Sequence, residues 1–269
     1  MGIIREPVII RPHDTLLHAL KVMILEAVPK VIIADEKEIP LGILTQKDIL
    51  KFITTKIGKR SFDSVRVSEI MNKRFVTVKE SVDYLEAAHL MIDNKLPMLV
   101  VVSQDDKTIG MIIKSDLAEF YSSQIRGLHK VGEYMSKNPI TISNTDTISN
   151  ALKIMVEKDL GRLLVIDKEE RIVGIVTTTD MLYVAPFLRE ETNVKVEDLM
   201  NPNVFVVSEN EDLSAAAKLM ANRKVKGIAI VNQNGNPIGV ITTTDVVRAL
   251  TSDKVREYLL ELKMYTTSF

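Results

Sequence analysis

Apolar residues recur along the chain in one order, and that order is repeated four times. A short apolar stretch and a polar turn are followed by a segment with apolar residues at positions i, i+4 and i+7, such as Leu16, Leu20 and Met23. Two further apolar stretches, for example 163–166 and 172–176, are separated by a charged turn. The first spacing is typical of a helix with one buried face, and short apolar runs between polar turns are typical of strands. The pattern predicts an α/β (α+β) fold made of β-α-β-β-α units.

Each unit closes with a strand that runs into a helix. The third copy reads Gly174-Ile-Val-Thr-Thr-Thr-Asp180, in which Thr177 and Asp180 have the spacing of a capping box. The corresponding glycines lie at positions 42, 110, 174 and 239, so successive repeats are 68, 64 and 65 residues apart. Self-similarity at a nearly constant period indicates repeats with one common fold. In the second copy Ile113 stands where the threonine is expected, which should remove the cap.

These periods predict four repeats and a tail. The predicted bounds of the repeats are 1–57, 66–125, 130–188 and 195–252, followed by a C-terminal helix and tail at 253–269. The linkers between them are short and charged, which favours a compact array. These linkers lie at 56–64, 123–130 and 189–195.

The two ends of the chain depart from the repeat pattern. Repeats two to four begin with an approach segment that ends in Met71, Met135 or Met200, whereas Ile3 holds that position in the first repeat. The first repeat is therefore expected to be trimmed at its front edge. At the other end, apolar residues would form one face of a terminal helix that docks onto the body. These residues are Val255, Leu259 and Leu262.

Composition excludes several classes of protein. Of 269 residues, 46% are hydrophobic and 26% are charged, as in ordinary globular domains, and the formal net charge of −1 gives no field that would attract nucleic acid or an acidic membrane. The chain has no cysteine, no apolar run near the roughly 20 residues of a membrane helix and no signal-peptide layout at its N-terminus. We expect a cytoplasmic protein that binds neither nucleic acid nor membranes.

Catalytic motifs are not found. The four histidines show no metal-ligand spacing, and Gly58-Lys59 lacks the earlier glycine of a phosphate loop. The acidic residue that ends each repeat has no acid or base partner at a fixed offset, which general acid–base catalysis would need. We expect a protein that is not an enzyme and that has no obligatory cofactor or metal.

The strand-to-helix junctions are the candidate binding sites. A helix start offers free backbone N–H groups that suit a phosphate, and the preceding glycine lets a ligand approach the backbone. A threonine hydroxyl can hold a phosphate or sugar oxygen, and an exposed carboxylate can accept both hydroxyls of a ribose. The residues that fit are Thr45, Asp48, Thr177, Asp180, Thr242 and Asp245. The alternative is that each pair is only a capping box, which needs no ligand.

Basic residues matter if the ligand carries phosphate. Arg162 precedes the middle strand of the third repeat, and Lys30, Met98 and Gly227 hold the equivalent positions. Lys226 and Lys224 lie close by in the fourth repeat. The alternative is that these basic residues are ordinary surface charges in contact with water.

These motifs resemble the CBS domain. The resemblance covers residues 3–250 and rests on the closing Gly-h-h-Thr-x-x-Asp (h, apolar) and on the approach Glu-Tyr-Met135-x-x-x-Pro139-Ile-Thr-Ile142. It implies that the repeats work as two pairs, 1–125 and 126–269, with two sheets about a pseudo-twofold axis and adenosyl-ligand clefts between them. Four repeats in one chain are similar to the gamma-subunit family of AMP-activated protein kinase, in which they form a disk.

The resemblance also implies a ligand and its contacts. The expected ligand is AMP, ADP or ATP, with aspartate on the ribose, Arg162 on phosphate, and adenine against Ile140 and Thr141. Repeat three carries Thr177, Asp180 and Arg162 and is the strongest candidate. Repeat two keeps Asp116 but has Ile113 and Met98, so it is the weakest.

No further domain is recognised, so the resemblance implies a stand-alone energy sensor acting on a separate partner such as a kinase or a metabolic enzyme. Whether the chain forms a homodimer stays an open question. Two alternatives also stay open: a binder of S-adenosylmethionine or another adenosyl ligand, and an interaction scaffold with vestigial clefts.

Overall fold

The computed structural model describes residues 4–55, 60–184 and 193–266, with the side chains of 263–266 left aside. Ile3, parts of two expected linkers (56–59 and 185–192) and the last residues of the tail (267–269) lie outside the described residues. The expected ends of repeats one and three, at 57 and 188, therefore also lie outside them.

Each repeat contains the predicted β-α-β-β-α unit, so the predicted fold class is confirmed. Repeat one consists of β1 Ile9–Ile10, α1 Leu16–Leu25, β2 Lys30–Ala34, β3 Pro40–Thr45 and α2 Gln46–Thr54. Repeat two consists of α3 Val67–Ile70, β4 Thr77–Val78, α4 Tyr84–Asp93, β5 Met98–Val102, β6 Thr108–Ile113 and α5 Lys114–Gln124. The short helix α3 comes from the approach segment and was not predicted.

The second half of the chain repeats this arrangement. Repeat three consists of α6 Val131–Tyr134, β7 Ser136–Lys137, β8 Thr141–Ser143, α7 Ile148–Glu157, β9 Arg162–Ile166, β10 Ile172–Thr177 and α8 Thr178–Val184. Repeat four consists of a 3₁₀ helix Val196–Asp198, β11 Val206–Val207, α9 Leu213–Arg223, β12 Gly227–Val231, β13 Pro237–Thr242 and α10 Thr243–Leu250, and α11 Asp253–Thr266 follows.

Each sheet is mixed. The first strand of a repeat runs parallel to the middle strand, and the middle strand pairs antiparallel with the last, as in β8-β9-β10. In repeat four the sheet gains a fourth strand, because β7 of repeat three pairs antiparallel with β13. The approach segment of one repeat thus lies on the sheet of the other.

The same exchange joins both pairs of repeats. Isolated bridges connect Arg5 with Met111, Asn72 with Ile43, and Asn201 with Ile175. Repeats one and two therefore form one pair, and repeats three and four form the other. The chain at Arg5 lies on the repeat-two sheet as the other approach segments lie on theirs, although repeat one was expected to lack this segment.

The closing glycines of the repeats are explained by this exchange. A Cβ at Gly42 would lie 2.9 Å from the sulfur of Met71, and one at Gly239 would lie 2.8 Å from that of Met135. These distances are shorter than real Cβ contacts, so a side chain at either position would force the methionine to shift. We expected the glycine to admit a ligand, and that interpretation is wrong here: the space belongs to the methionine of the paired repeat.

The helices bury the predicted stripes in two cores that join the pairs. One core contains Leu20 and Met23 of repeat one together with Leu152 and Met155 of repeat three. The other core combines the helices of repeats two and four. A third, smaller cluster lies between the sheets of repeats one and two.

The terminal helix docks only in part as predicted. Val255 is fully buried, and Leu259 packs against the core of repeats two and four. Leu262 is 37% exposed, so the predicted stripe is wrong at its last position.

Candidate functional site

Each repeat has an aspartate in the first turn of its second helix, and this aspartate caps the helix. Oδ2 of Asp180 accepts from the backbone nitrogen of Thr177 at 2.7 Å and from its hydroxyl at 2.6 Å. The corresponding distances are 2.8 and 2.7 Å for Asp48 with Thr45, and 2.9 and 2.7 Å for Asp245 with Thr242.

Repeat two keeps half of this cap. Oδ2 of Asp116 still accepts from the backbone nitrogen of Ile113 at 2.8 Å. The isoleucine cannot supply the hydroxyl, so only the threonine half of the capping box is lost. The expectation that Ile113 removes the cap is thus wrong for the aspartate half.

The second carboxylate oxygen, Oδ1, divides the four aspartates into two kinds. In Asp245 it accepts from Arg248 at 2.9 Å, and in Asp116 it is paired with Arg5. Within 4–55, 60–184 and 193–266, Oδ1 of Asp48 and of Asp180 has neither a hydrogen-bond nor an ion-pair partner. Repeats one and three therefore keep an acceptor available for a ligand.

Burial sets one of the four aspartates apart. Asp245 is only 3% exposed, so the expectation of an exposed carboxylate is wrong there, whereas Asp48 and Asp180 are half-buried. Burial raises the pKa of Asp48, and its hydrogen bonds with Thr45 oppose that shift. Burial likewise raises the pKa of Asp116 against the hydrogen bond from Ile113 and the charge of Arg5.

The basic positions are set by strand register. Arg162 is the cross-strand neighbour of Thr177, as Lys30 is of Thr45. Directly opposed residues of an antiparallel pair point to the same face of the sheet. The other two repeats place Met98 and Gly227 at this position, so only repeats one and three carry a base there.

Arg162 reaches across its pair. A Cβ on Gly227 would overlap the Arg162 guanidinium, so the arginine lies over the backbone of repeat four. Burial lowers the pKa of Arg162 to about 10, and Asp245 of repeat four opposes that shift. We grouped Arg162 with Thr177 and Asp180 from the sequence; the structure brings its charge next to the neighbouring repeat.

Each repeat contributes one cation to a group that lies where the repeats meet. We call Lys30, Lys114, Arg162 and Lys226 the central basic cluster. Lys30 donates to the carbonyl of Pro97 at 2.6 Å, and Lys114 donates to the hydroxyl of Thr244 at 3.2 Å.

The charges of the central basic cluster act on one another. Burial, followed by Lys226 and Lys114, lowers the pKa of Lys30 to about 7. The pKa of Lys226 is lowered to about 8, mainly because protein atoms replace water around its ammonium group. The charges of Arg162 and Arg5 add to this shift. Burial also lowers the pKa of Lys114. Mutual repulsion of this kind favours a bound anion.

The repeats can now be assigned to a family. The CBS domain family matches residues 3–55, 67–123, 131–186 and 196–252. The chain belongs to the CBS domain family. These matches cover all four repeats and both pairs.

Two solved structures share the fold over most of the chain, and a third covers less than half of it. The crystal structure of MJ1225 from Methanocaldococcus jannaschii, proposed to be an archaeal homologue of g-AMPK, has 24% sequence identity and a TM-score of 0.82 over 91% of this chain and 96% of that one. An uncharacterized conserved protein from Pyrococcus horikoshii gives 21% identity and a TM-score of 0.67, covering 93% of this chain and 98% of its own. CBSX2 was solved in complex with AMP; it covers 45% of this chain and 95% of its own, with 31% identity and a TM-score of 0.41.

The second helices of CBS repeats one and three touch at their starts. Oε1 of Gln46 accepts from the hydroxyls of Thr178 and Thr179 at 3.0 and 3.1 Å. A cavity of about 110 Å³ lies at this junction, lined on its polar side by Gln46, Thr179, Tyr183 and Lys226. The helix starts that carry Asp48 and Asp180 are therefore directly connected.

The remaining predicted site residues lie farther from the cluster. Ile140 is 42% exposed at the entrance to β8, and Thr141 pairs with Leu164 beside it. Lys224 ends α9 in the left-handed conformation. Sequence reasoning missed Lys114, Arg5 and Arg248; the first lies directly after Ile113, at the position that Gln46 holds in repeat one.

The described residues contain neither a metal-binding cluster nor a membrane-spanning helix. No group of three or more histidine or acidic side chains there has the arrangement of a metal site. None of the described helices is long and apolar enough to cross a membrane.

Proposed function

We propose that this CBS protein is a regulatory binder of an adenine nucleotide, AMP, ADP or ATP, and that it acts on a separate partner protein. The observation that carries the proposal is the central basic cluster, in which four cations from four repeats converge. The carboxylates that act on the cluster are Asp116, Asp245 and Asp159, and each already pairs with a further cation, namely Arg5, Arg248 or Lys47.

A phosphate would supply the missing negative charge. Arginine and lysine bind phosphate through charge-assisted hydrogen bonds, which are about twice as strong as neutral ones. The starts of α2 and α8 add backbone N–H groups and the positive ends of helix dipoles. The polar end of the ligand would therefore lie at the junction of the four repeats.

The sugar and the base would lie toward the outside. Oδ1 of Asp180 or of Asp48 can accept from a ribose hydroxyl without breaking the capping box. The exposed Ile140 and its neighbour Thr141 offer an apolar edge for adenine in repeat three. Arg162 and Lys226 would contact the phosphate, with Lys30 and Lys114 completing the cluster.

Calorimetric titration of the nucleotide-stripped protein with AMP, ADP, ATP and S-adenosylmethionine tests this proposal. We expect saturable binding of a nucleotide. In Arg162→Ala and in Asp180→Asn, binding to repeat three should weaken at least tenfold, since each variant loses a hydrogen bond to a charged group worth roughly 1.5–3 kcal/mol. Asp198→Asn is the matched control, because Asp198 caps a helix away from the cluster.

The same titration separates the alternatives. S-adenosylmethionine needs the aspartate but no phosphate-binding base, so its affinity would fall in Asp180→Asn and persist in Arg162→Ala. Absence of heat with all four compounds, in protein shown to be folded by circular dichroism, would leave the capping aspartates as structural groups and favour a scaffold.

A further inference from the structure

The four aspartates differ in whether an arginine of the protein already occupies Oδ1. We propose that Arg248 and Arg5 close the clefts of repeats four and two, so that nucleotide enters only at repeats one and three. This inference rests on the proposed function and names the residues that set its stoichiometry.

Arg248 closes repeat four from within its own helix. It lies three residues after Asp245 on α10 and donates to Oδ1 at 2.9 Å, while Thr242 donates twice to Oδ2. The side chain of Asp245 is only 4% exposed as a result. A ribose can reach this carboxylate only by displacing the arginine, which roughly corresponds to a ten- to hundredfold loss of affinity.

Arg5 closes repeat two from the paired repeat. Two backbone hydrogen bonds with Met111, of 2.9 and 3.0 Å, hold the segment on the repeat-two sheet. Ile4 packs against Gly110 in the same segment. Arg5 is thereby positioned on Oδ1 of Asp116, whose side chain is 8% exposed. This repeat has already lost the threonine hydroxyl.

Repeat one has basic residues at the two matched positions, and they do not close its cleft. Lys51 lies three residues after Asp48, as Arg248 does after Asp245. Lys73 lies 37 residues before Gly110, as Arg5 does before Gly42. In the described part of the chain, neither lysine forms an ion pair with Asp48. The aspartates therefore divide into two internal counter-ions, Asp116 and Asp245, and two binding groups.

Binding stoichiometry tests this division. Equilibrium dialysis with labelled AMP should give two equivalents for the wild-type chain. Asp48→Asn/Asp180→Asn should bind none, since asparagine can keep the capping hydrogen bond but offers no carboxylate. Adding Arg248→Ala to that double variant should restore one equivalent, and adding Asp245→Asn should remove it again. Arg248→Gln repeats the test with a bulkier side chain if alanine disturbs the helix.

The lysine variants are the controls. Lys51→Ala and Lys73→Ala should leave the wild-type stoichiometry at two, while Arg5→Ala should open a third, weaker site. Three or more equivalents in the wild type, or no gain on removing Arg248 and Arg5, would overturn the inference while leaving nucleotide binding intact. If neither the wild type nor any variant binds AMP, ADP or ATP, both proposals are overturned. Binding confined to the arginine variants would also overturn both, because repeats one and three of the wild type would then bind no nucleotide.

Discussion

At the scale of single residues, Lys30 lies in an environment poorly suited to its charge. Burial and two neighbouring lysines lower its pKa to about 7, whereas the ordinary value is 10.5. Met98 holds the equivalent position in repeat two and is fully buried, which shows that a methionine fits this place in the fold. The charge of Lys30 is thus a cost that the ligand-free protein carries.

We predict that Lys30→Met stabilises the ligand-free protein by about 1–2 kcal/mol at pH 7, in the range seen when buried charges are replaced by apolar groups. Because the folded pKa lies below the unfolded one, the cost is complete below pH 7 and declines as the pH rises from 7 to 10.5. Urea unfolding at pH 7 and pH 9.5 measures this decline.

The control for this substitution is Lys21→Met on the exposed face of α1, which should change stability by less than about 0.5 kcal/mol at either pH. A gain in Lys30→Met that is the same at both pH values would show that packing, and not charge, is responsible. The same variant should bind AMP more weakly, since the central basic cluster loses a member.

At the scale of elements, the closing glycines of repeats one, three and four each contact a methionine of the paired repeat. We predict that Gly239→Ala destabilises the protein by about 1–3 kcal/mol, because the new methyl group would lie 2.8 Å from the sulfur of Met135. Thermal or urea unfolding measures the loss. Gly161→Ala is the control, because its Cβ would meet only Lys47 at 3.8 Å.

A double variant identifies the cause. If the contact with Met135 is responsible, adding Gly239→Ala to Met135→Ala should cost much less than adding it to the wild type, because neighbouring substitutions are not additive. An equal cost in both backgrounds would point to the strand backbone instead.

A second junction of elements depends on His129. This residue is 2% exposed and shares hydrogen bonds with Tyr121 of α5 at 2.8 Å and with Ser252, ahead of α11, at 3.4 Å. Burial lowers its pKa, and the charge of Glu133 opposes the shift. Protonation therefore disfavours the folded state.

We predict that stability falls below pH 6.5, the unfolded pKa of histidine, and that His129→Gln loses less stability than the wild type between pH 7 and pH 5. The difference should be about 1.4 kcal/mol for each unit by which the folded pKa is lowered. The exposed His89→Gln should follow the wild-type curve in urea unfolding. A His129→Gln curve parallel to the wild type would exclude this histidine as the source.

At the scale of the whole molecule, the sequence predicts what lies within a repeat and misses what lies between repeats. Periodicity places Leu20, Met155 and the capping boxes correctly, because both halves of these contacts are close in the chain. The pairing of Arg5 with Asp116 joins residues 111 positions apart, and that of β7 with β13 joins different repeats. No local pattern signals such contacts.

Arg162 shows the same limit of prediction from sequence, because its side chain extends to the neighbouring repeat. Its alignment with Lys30 correctly marks a basic position, but the glycine that makes room for its guanidinium is in the next repeat. The difference between open and closed aspartates likewise depends on arginines outside the repeated motif.

The two helical cores give the molecule two layers, one of repeats one and three and one of repeats two and four. We predict that AMP protects the starts of α2 and α8 from hydrogen exchange and leaves those of α5 and α10 unchanged, because only the first layer keeps open aspartates. Equal protection of all four helix starts would contradict this layered arrangement.

Gln46 should transmit that effect between the clefts. In Asp180→Asn, AMP fills only repeat one, yet the start of α8 should still gain protection, because Gln46 accepts hydrogen bonds from both Thr178 and Thr179. Gln46→Leu in that background should abolish the gain at α8 and keep it at α2. Lys47→Ala, which removes the neighbouring link to Asp159 but leaves Gln46 in place, should preserve both gains. Protection at α8 that survives Gln46→Leu would show that the layer moves as one packed body, without need of this side chain.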